Sequence, residues 1–174
     1  MREEVILVDE MDKEIGTIEK LQAHKVGLLH RAISVFLFNP KGELLLQKRA
    51  SSKYHSGGLW TNTCCSHPRP GEKNIDAAIR RLYEEMGIYS DLEFSFSFSY
   101  TANFQNGLIE NEFDHVFTGM SQVTPQINIE EAEDFNYVSI PNVIIDMSKN
   151  PNNYTEWFKI AIHKVEFQLK NEHL

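Results

Sequence analysis

The chain has 174 residues with 25 acidic and 17 basic side chains, a net charge of −8, and a hydrophobic share of 41%. These values are typical of one folded domain and exclude a disordered chain, while the acidic balance argues against nucleic-acid binding, which needs a basic face. No apolar run approaches the roughly 20 residues that cross a bilayer, and the early acidic residues differ from a signal peptide. We therefore expect neither nucleic acid nor a membrane span, although a local basic cluster could still bind a small phosphorylated ligand.

The first half of the chain predicts strands joined by polar turns. Short strands are predicted over residues 5–8 and 16–19. A hairpin is predicted over residues 32–38 and 43–48, because two apolar runs flank a turn-forming segment that contains proline and glycine. Residues 49–58 are polar, basic and turn-rich, which indicates a surface loop.

The clearest helix is predicted over residues 74–86. Its apolar side chains recur every three or four positions, with Asn74 as the N-cap and Gly87 as the residue that ends it. Strict alternation then predicts a strand over residues 93–100, with its four aromatic side chains on one face, and a second strand over residues 108–117.

The last third of the chain predicts one more helix. Residues 130–135 are acidic and are interpreted as a loop or short turn, whereas residues 154–170 carry the apolar stripe of a closing helix. Together the elements predict an α+β fold, arranged as an α/β/α sandwich. We expect a mixed sheet with one central and one C-terminal helix, in a single domain over residues 1–174.

Three histidines and two glutamates form a candidate metal site, namely His24, His30, His67, Glu110 and Glu112. The two glutamates are two positions apart on a predicted strand, so their carboxylates project to the same side. Such a set suits a first-row divalent ion such as Mn²⁺, Zn²⁺ or Mg²⁺. The alternative is one solvated strand face and unrelated histidines, since no established metal-binding spacing is present.

Cys64 and Cys65 are the two cysteines of the chain. A disulfide between neighbours strains the peptide and closes almost no loop, so we expect free thiols and a cytoplasmic protein. Neighbours on extended backbone face opposite ways, so at most one thiol is expected to function. The Cys65 thiol and the Glu112 carboxylate could pass a proton across a small substrate, and the alternative for both cysteines is ordinary burial.

Four basic residues are candidates for binding phosphate: Arg49, Lys53, Arg81 and, less clearly, Lys20. An arginine can bind a phosphate through two nitrogens and a lysine as a point charge, but without further context dispersed solubilising charge is the favoured interpretation. Trp157 and Tyr100 fit a pocket wall and an apolar core about equally well.

Several motifs closely resemble the type I isopentenyl-diphosphate isomerases, a branch of the Nudix fold. They are Trp60-Thr61-Asn62-Thr63-Cys64-Cys65-Ser66-His67-Pro68, the 80–87 segment and Glu110-Asn111-Glu112. With Glu19 upstream and Trp157 downstream, the resemblance covers nearly the whole chain. The Nudix pattern is met at Glu72, Arg80, Leu82, Glu84, Glu85, Gly87 and Ile88. Ser66 replaces its first glycine and Arg81 replaces a metal-binding glutamate, which argues against pyrophosphate hydrolysis.

The resemblance implies an enzyme that interconverts isopentenyl diphosphate and dimethylallyl diphosphate through a tertiary carbocation, in isoprenoid biosynthesis. It also implies two bound metal ions. One is a divalent ion whose ligands would be His24, His30, His67, Glu110 and Glu112. The other is a Mg²⁺ that arrives with the diphosphate and is held partly by Glu85 and the Cys65 carbonyl. Arg49, Lys53, Arg81 and Lys20 would neutralise the diphosphate.

The resemblance also implies catalytic roles. Cys65 and Glu112, the latter assisted by Tyr100, would exchange protons on opposite faces of the substrate, and the indole of Trp157 would stabilise the cation. We expect a Nudix core over about 30–160 and favour a monomer. Two rival functions stay open: a Nudix diphosphatase, and a module that binds metal or diphosphate without catalysis.

Overall fold

The computed structural model describes residues 3–171. Within this range the strands are β1 Glu4–Val8, β2 Glu14–Glu19, β3 His30–Phe38, β4 Leu44–Arg49, β5 Trp60–Thr61, β6 Cys64–Ser66, β7 Leu92–Asn103, β8 Ile109–Met120 and β9 Ala132–Val138. The helices are α1 Lys20–Val26, α2 Asn74–Met86, α3 Ile140–Lys149 and α4 Glu156–Asn171, with a short 3₁₀ turn at Pro151–Asn153.

The sheet is mixed, and β3 lies at its centre. β3 runs parallel to β8 over the whole length from His30↔Glu112 to Phe38↔Met120, and antiparallel to β6 and β1. β7 pairs with β8, while β4 pairs with β5 and β9. β3 and β4 form the predicted hairpin, but they pair only at Phe38↔Leu44 before they diverge to different neighbours.

Helices cover both faces of the sheet. Along β3, Phe36 and Phe38 pack towards α3 and α4, whereas Ile33, Val35 and Leu37 pack towards α2. This is the period of two expected when successive side chains of a strand point to opposite faces. The α+β sandwich predicted from the sequence is therefore confirmed.

Two helices were missing from the sequence prediction, α1 and α3. α1 is only seven residues long; the Glu19 carboxylate accepts hydrogen bonds from the backbone N–H groups of its first turn, and Gly27 ends it at φ 68°. α3 begins with a proline in its first turn and has ten residues. Helices this short carry too little periodic signal to stand out in a sequence.

The central and closing helices are confirmed, with corrections at their ends. α2 spans residues 74–86 and ends at Gly87 in the left-handed conformation (φ 67°), but Asn74 is its first residue and not the N-cap, which is Lys73. α4 begins at Glu156, two residues later than predicted, because Tyr154 instead makes a bridge with Trp60.

Two strand predictions need correction. The interpretation of residues 130–135 as a loop is wrong from Ala132 onward, where β9 pairs with β4 as an edge strand. Its acidic side chains face solvent, as edge strands tolerate, and therefore hid the pattern. The predicted aromatic face of residues 93–100 is wrong for Phe94, because a bulge before Phe96 turns Phe94 to the other face, where its side chain is 57% exposed.

Among residues 3–171, no helix has both the length and the apolar character that crossing a bilayer requires.

Candidate active site

A small buried cavity lies beside β3, β6 and β8, under the loop that follows β4. Most of the residues singled out from the sequence line it: Lys20, Arg49, Lys53, Cys65, His67, Arg81, Tyr100, Glu110, Glu112 and Trp157. Its free volume is about 50 Å³, room for a water molecule or two. Sites for substrates are usually several hundred Å³, so a substrate must displace side chains as it enters.

The carboxylates of β8 point into the protein and not into solvent. Glu110 is 3% and Glu112 is 6% exposed, so the interpretation of this strand as a solvated face is wrong. Opposite them on β7, the Tyr100 hydroxyl donates its single proton to Glu112 Oε2 (2.5 Å), and its oxygen lies 3.1 Å from Glu110 Oε2. The strand alternation seen in the sequence thus places both carboxylates and the phenol on one buried face.

His24 and His30 turn their Nε2 atoms towards these carboxylates. The Nδ1 atoms lie 2.8 Å from the backbone carbonyls of Lys20 and Leu28. Because a carbonyl only accepts, each Nδ1 carries the proton and each Nε2 keeps a lone pair. Both Nε2 atoms are buried, and neither has a hydrogen-bond partner in the described part of the chain.

His67 and Glu112 complete this group. His67 Nε2 lies 2.9 Å and His30 Nε2 lies 3.5 Å from Glu112 Oε1. The ligand atoms of His24, His30, His67 and Glu112 all lie within 4.8 Å of one another. Buried, unpaired nitrogen lone pairs around one carboxylate are a donor set that fits a divalent cation.

The electrostatics of the group favour neutral imidazoles at His24 and His67 and an ionised carboxylate at Glu112. Burial lowers the pKa of His24, and it lowers that of His67 to about 4. Burial would raise the pKa of Glu112, but the imidazoles of His30 and His67 outweigh it and hold that pKa well below its usual range. The pKa of Glu110 is raised well above its usual range, first by burial and then by the charge of Glu112. Metal ions require deprotonated ligands, and the neutral imidazoles of His24 and His67 and the ionised carboxylate of Glu112 meet this requirement.

Glu110, the fifth residue predicted as a ligand, stands slightly apart. Its ligand atom groups with those of His24 and His55, again within 4.8 Å of one another. His55 was not singled out from the sequence, where it is one polar residue in a loop.

The two neighbouring cysteines face opposite ways, as expected. Cys64 is fully buried in the core against α2. Cys65 lines the cavity, and its Sγ lies 3.6 Å from Arg49 Nη1. Burial raises the pKa of the Cys65 thiol, more than the nearby Arg49 lowers it, so the thiol keeps its proton.

The four basic residues converge on the cavity, so their interpretation as dispersed surface charge is wrong. Arg49 is 8% exposed, and its guanidinium lies 5.2 Å from the centre of the Trp157 ring. Lys53 and Arg81 both pair with the carboxylate of Glu131. Lys20 pairs with Glu3 at 3.2 Å.

Glu85 lies behind Arg81 and does not line the cavity. One of its carboxylate oxygens accepts a hydrogen bond from Arg81 Nη2 (2.8 Å) and the other from Gln47 Nε2 (2.9 Å). Its side chain is 2% exposed, so both oxygens are satisfied inside the protein.

The sequence analysis missed several residues that line the cavity as functional candidates, among them Ser34, Tyr54, His55 and Glu131. It also missed Asp114, which contacts Ser34 from outside the cavity lining. Ser34 donates to Asp114 Oδ2 (2.7 Å), and burial raises the pKa of Asp114 to about 8. Asp114 follows Glu112 at strand spacing, so alternation could have identified it. Ser34 and His55 carry no such local signal.

Comparison with known proteins gives consistent matches. A NUDIX domain model matches residues 28–158. The chain is 53% identical to isopentenyl-diphosphate Delta-isomerase 1 of Aromatoleum aromaticum, over 95% of this chain and 93% of that protein. It is 50% identical to the isopentenyl-diphosphate Delta-isomerase of Pectobacterium atrosepticum, over 93% and 90%.

Solved structures share the fold at low sequence identity. DR0079 from Deinococcus radiodurans superposes with a TM-score of 0.77 at 20% identity, over 93% of this chain and 98% of that one. A MutT protein from Methanosarcina mazei gives a TM-score of 0.68 at 18% identity, over 82% and 96%.

Proposed function

The chain belongs to the NUDIX-domain proteins and, among them, to the isopentenyl-diphosphate Delta-isomerases, so it interconverts isopentenyl diphosphate and dimethylallyl diphosphate; from this premise we propose how its residues divide the reaction. The observation that carries the proposal is that the Cys65 thiol and the Glu112 carboxylate line the same buried cavity. The domain is the whole chain, 1–174, with a Nudix core over about 30–160.

Cys65 and Glu112 move the protons. One group adds a proton to the terminal methylene carbon of isopentenyl diphosphate, which leaves a tertiary cation at the neighbouring carbon. The other removes a proton from the carbon on the far side of that cation, and the double bond forms there. The two groups exchange roles when the reaction runs in reverse, so each must be able both to give and to take a proton.

Tyr100 and Trp157 support these steps. The Tyr100 hydroxyl donates to Glu112 at 2.5 Å, so it fixes the carboxylate and can relay its proton. Trp157 is 3% exposed and lines the cavity; an indole face stabilises a cation by about 2 kcal/mol or more when water is excluded, and it offers no nucleophile to trap it. Enclosure of the reacting carbons in this buried site would also keep water away from the cation.

A divalent ion, Mn²⁺, Mg²⁺ or Zn²⁺, would be held by His24, His30, His67, Glu110 and Glu112, where it would supply positive charge that makes a proton on the Glu112 carboxyl more acidic. Support comes from the unpaired Nε2 atoms of His24 and His30 and from the carboxylate that they face.

The basic residues pin the diphosphate. Arg49, Lys53, Arg81 and Lys20 line the cavity, and the diphosphate oxygens would replace the carboxylates of Glu131 and Glu3 as partners of Lys53, Arg81 and Lys20. Mg²⁺ bound to the diphosphate would be held partly by Glu85 and the Cys65 carbonyl. Because Arg81 and Gln47 now satisfy both Glu85 oxygens, this step requires Arg81 to turn from Glu85 to the diphosphate.

The proposal extends to the partner, the oligomeric state and the cellular compartment of the enzyme. The prenyl diphosphate substrate is the partner of the proposed site, and we favour a monomer. Both cysteines are free, which favours a reducing compartment such as the cytoplasm.

Proton NMR in heavy water tests the function. With Mg²⁺ present, we expect isopentenyl diphosphate to give the methyl signals of dimethylallyl diphosphate and to take up deuterium, without release of phosphate. Treatment with a chelator should abolish the conversion, and added Mn²⁺ or Zn²⁺ with Mg²⁺ should restore it. Phosphate release without isomerisation would show a diphosphatase instead, and full activity after thorough metal removal would refute the metal centre.

A further inference from the structure

His55 shares a buried corner of the cavity with His24 and Glu110. The Nε2 atom of His55 lies 3.2 Å from Glu110 Oε1, and the ligand atoms of the three residues lie within 4.8 Å of one another. His55 is 8%, His24 is 0% and Glu110 is 3% exposed. Two atoms that bind one divalent ion at adjacent positions, each about 2.1 Å from it, are about 3 Å apart, which is close to the His55–Glu110 separation.

The ring of His55 is held in place although it belongs to a loop. It stacks on Phe104 at 4.8 Å between ring centres and meets the edge of Trp157 at 6.2 Å. The loop is tied to the β7–β8 turn, since Asn106 Nδ2 donates to the Tyr54 carbonyl at 2.8 Å. The His55 Nδ1 atom lies 3.3 Å from Ser56 Oγ, a contact of the kind that orients metal-binding histidines. Packing thus aims Nε2 into the corner.

His24 connects this corner with the group formed by His30, His67 and Glu112. It belongs to both sets of close ligand atoms. Its Nδ1 is engaged by the Lys20 carbonyl, so it has one lone pair to offer, at Nε2, and that lone pair serves one ion at a time. The two sets are therefore parts of one centre and not two separate sites.

We propose that His55 is a further ligand of the divalent-ion centre, which it joins together with Glu110. The centre then draws on four imidazoles, and this composition favours ions such as Zn²⁺ and Co²⁺ over Mg²⁺, which prefers oxygen ligands. The inference rests on the metal centre of the proposed function and adds a residue to it.

Metal titration of three variants tests the inference. His55→Phe keeps the stacking on Phe104 but removes the ligand nitrogen, His30→Ala removes a ligand of the first set, and His163→Ala removes an exposed histidine of α4 as a matched control. Affinities for Co²⁺ and Mg²⁺ are measured by competition with a chromophoric chelator, together with the visible absorption spectrum of bound Co²⁺. We expect His55→Phe to weaken Co²⁺ binding at least tenfold, to weaken Mg²⁺ binding less and to change the spectrum, and His163→Ala to change none of these.

Two results separate failure of this inference from failure of the metal centre. If His30→Ala loses Co²⁺ while His55→Phe binds it within twofold of the unmodified protein, the centre stands and the role of His55 is refuted. If the unmodified protein binds no Co²⁺, both are refuted. Restored affinity in His55→Gln with an unchanged Co²⁺ spectrum would mean that the residue only donates to Glu110, and it would also refute ligation.

A measurement on the unmodified protein covers the case in which His55→Phe does not fold. Co²⁺ shifts the N–H signals of the imidazoles that bind it far outside the normal proton NMR range. We expect four exchangeable shifted signals, one for each histidine ligand, and three would overturn the proposal.

Discussion

Alanine substitutions at the two adjacent cysteines should have opposite effects, although the chemical change is the same. Cys64 is fully buried in the core against α2 and does not line the cavity. Cys65 lines the cavity with its thiol 3.6 Å from the guanidinium of Arg49. The proposed mechanism requires the Cys65 thiol and gives the Cys64 thiol no role in the reaction.

The expected magnitudes follow from these environments. Cys64→Ala deletes one buried sulfur and leaves a small void, which should lower the free energy of unfolding by about 1–2 kcal/mol and the melting temperature by roughly 2–8 °C. Its turnover should stay within about threefold of the unmodified protein. Cys65→Ala removes one of two groups that exchange protons with carbon, so turnover should fall by at least ~10³-fold. Its stability should change by less than about 1 kcal/mol, because the sulfur already borders a cavity.

Two assays on each variant check that one substitution lowers stability and the other lowers turnover. Conversion of isopentenyl diphosphate is followed by proton NMR, and unfolding is followed by circular dichroism in urea. Turnover of Cys65→Ala within tenfold of normal would remove this thiol from the mechanism. An equal loss of turnover in Cys64→Ala, with the fold intact, would show that the reasoning from orientation is wrong.

Three further substitutions are informative. Glu112→Gln should lower turnover at least ~10³-fold and weaken binding of the divalent ion, measured by NMR and by metal titration; near-normal values of both would contradict its two roles. Trp157→Leu, which removes the aromatic face, should lower kcat roughly 30-fold if the indole contributes about 2 kcal/mol to the cation, and a change confined to KM would assign it to binding alone. Asp114→Asn tests the pH dependence of stability in the metal-free protein. The pKa of Asp114 is raised from 3.8 to about 8, so the folded state binds the proton of this carboxyl more tightly than the unfolded state does. Its contribution to the free energy of unfolding is therefore fully present below pH 3.8 and is lost as the pH rises through 8. Between pH 5 and pH 8 the loss is about 1.4 kcal/mol per pH unit, roughly 4 kcal/mol in all. Glu110, with its raised pKa, and His24 and His67, with their lowered pKa values, also contribute to the pH dependence of stability, so the contribution of Asp114 is the difference between the unmodified protein and the variant. Urea unfolding with a chelator should show that Asp114→Asn lessens the loss of stability between pH 5 and pH 8, and identical pH profiles of the two proteins would refute the assignment to Asp114.

Local patterns in the sequence were sufficient to predict those features that lie within a single strand or helix. Alternation along residues 108–117 put Glu110 and Glu112 on one face, and the spacing within residues 74–86 gave the central helix with Gly87 at its end. Such periodicities depend only on neighbours in the chain, so they can be recognised without the fold.

The remaining features depend on contacts between distant segments. Whether the β8 carboxylates are buried is decided by β3 and β7 on either side. The place of His55 depends on the β7–β8 turn, which holds its loop from about fifty residues further along the chain. The bulge that turns Phe94 outward arises from the pairing with β8. A pattern in one segment contains none of this information.

Arg81 explains how a helix of the Nudix pattern can serve an isomerase. A glutamate at this position would add a third carboxylate to the Glu84 and Glu85 pair, a set suited to Mg²⁺ and to activation of water. Arg81 instead bonds to Glu84, Glu85 and Glu131, and its guanidinium lines the cavity. In the proposed mechanism this arginine gives phosphate a partner at a position where a glutamate would attract a cation. Because isomerisation needs an intact diphosphate, the proposed role of Arg81 would disfavour hydrolysis and at the same time bind the group that holds the substrate in place for proton transfer.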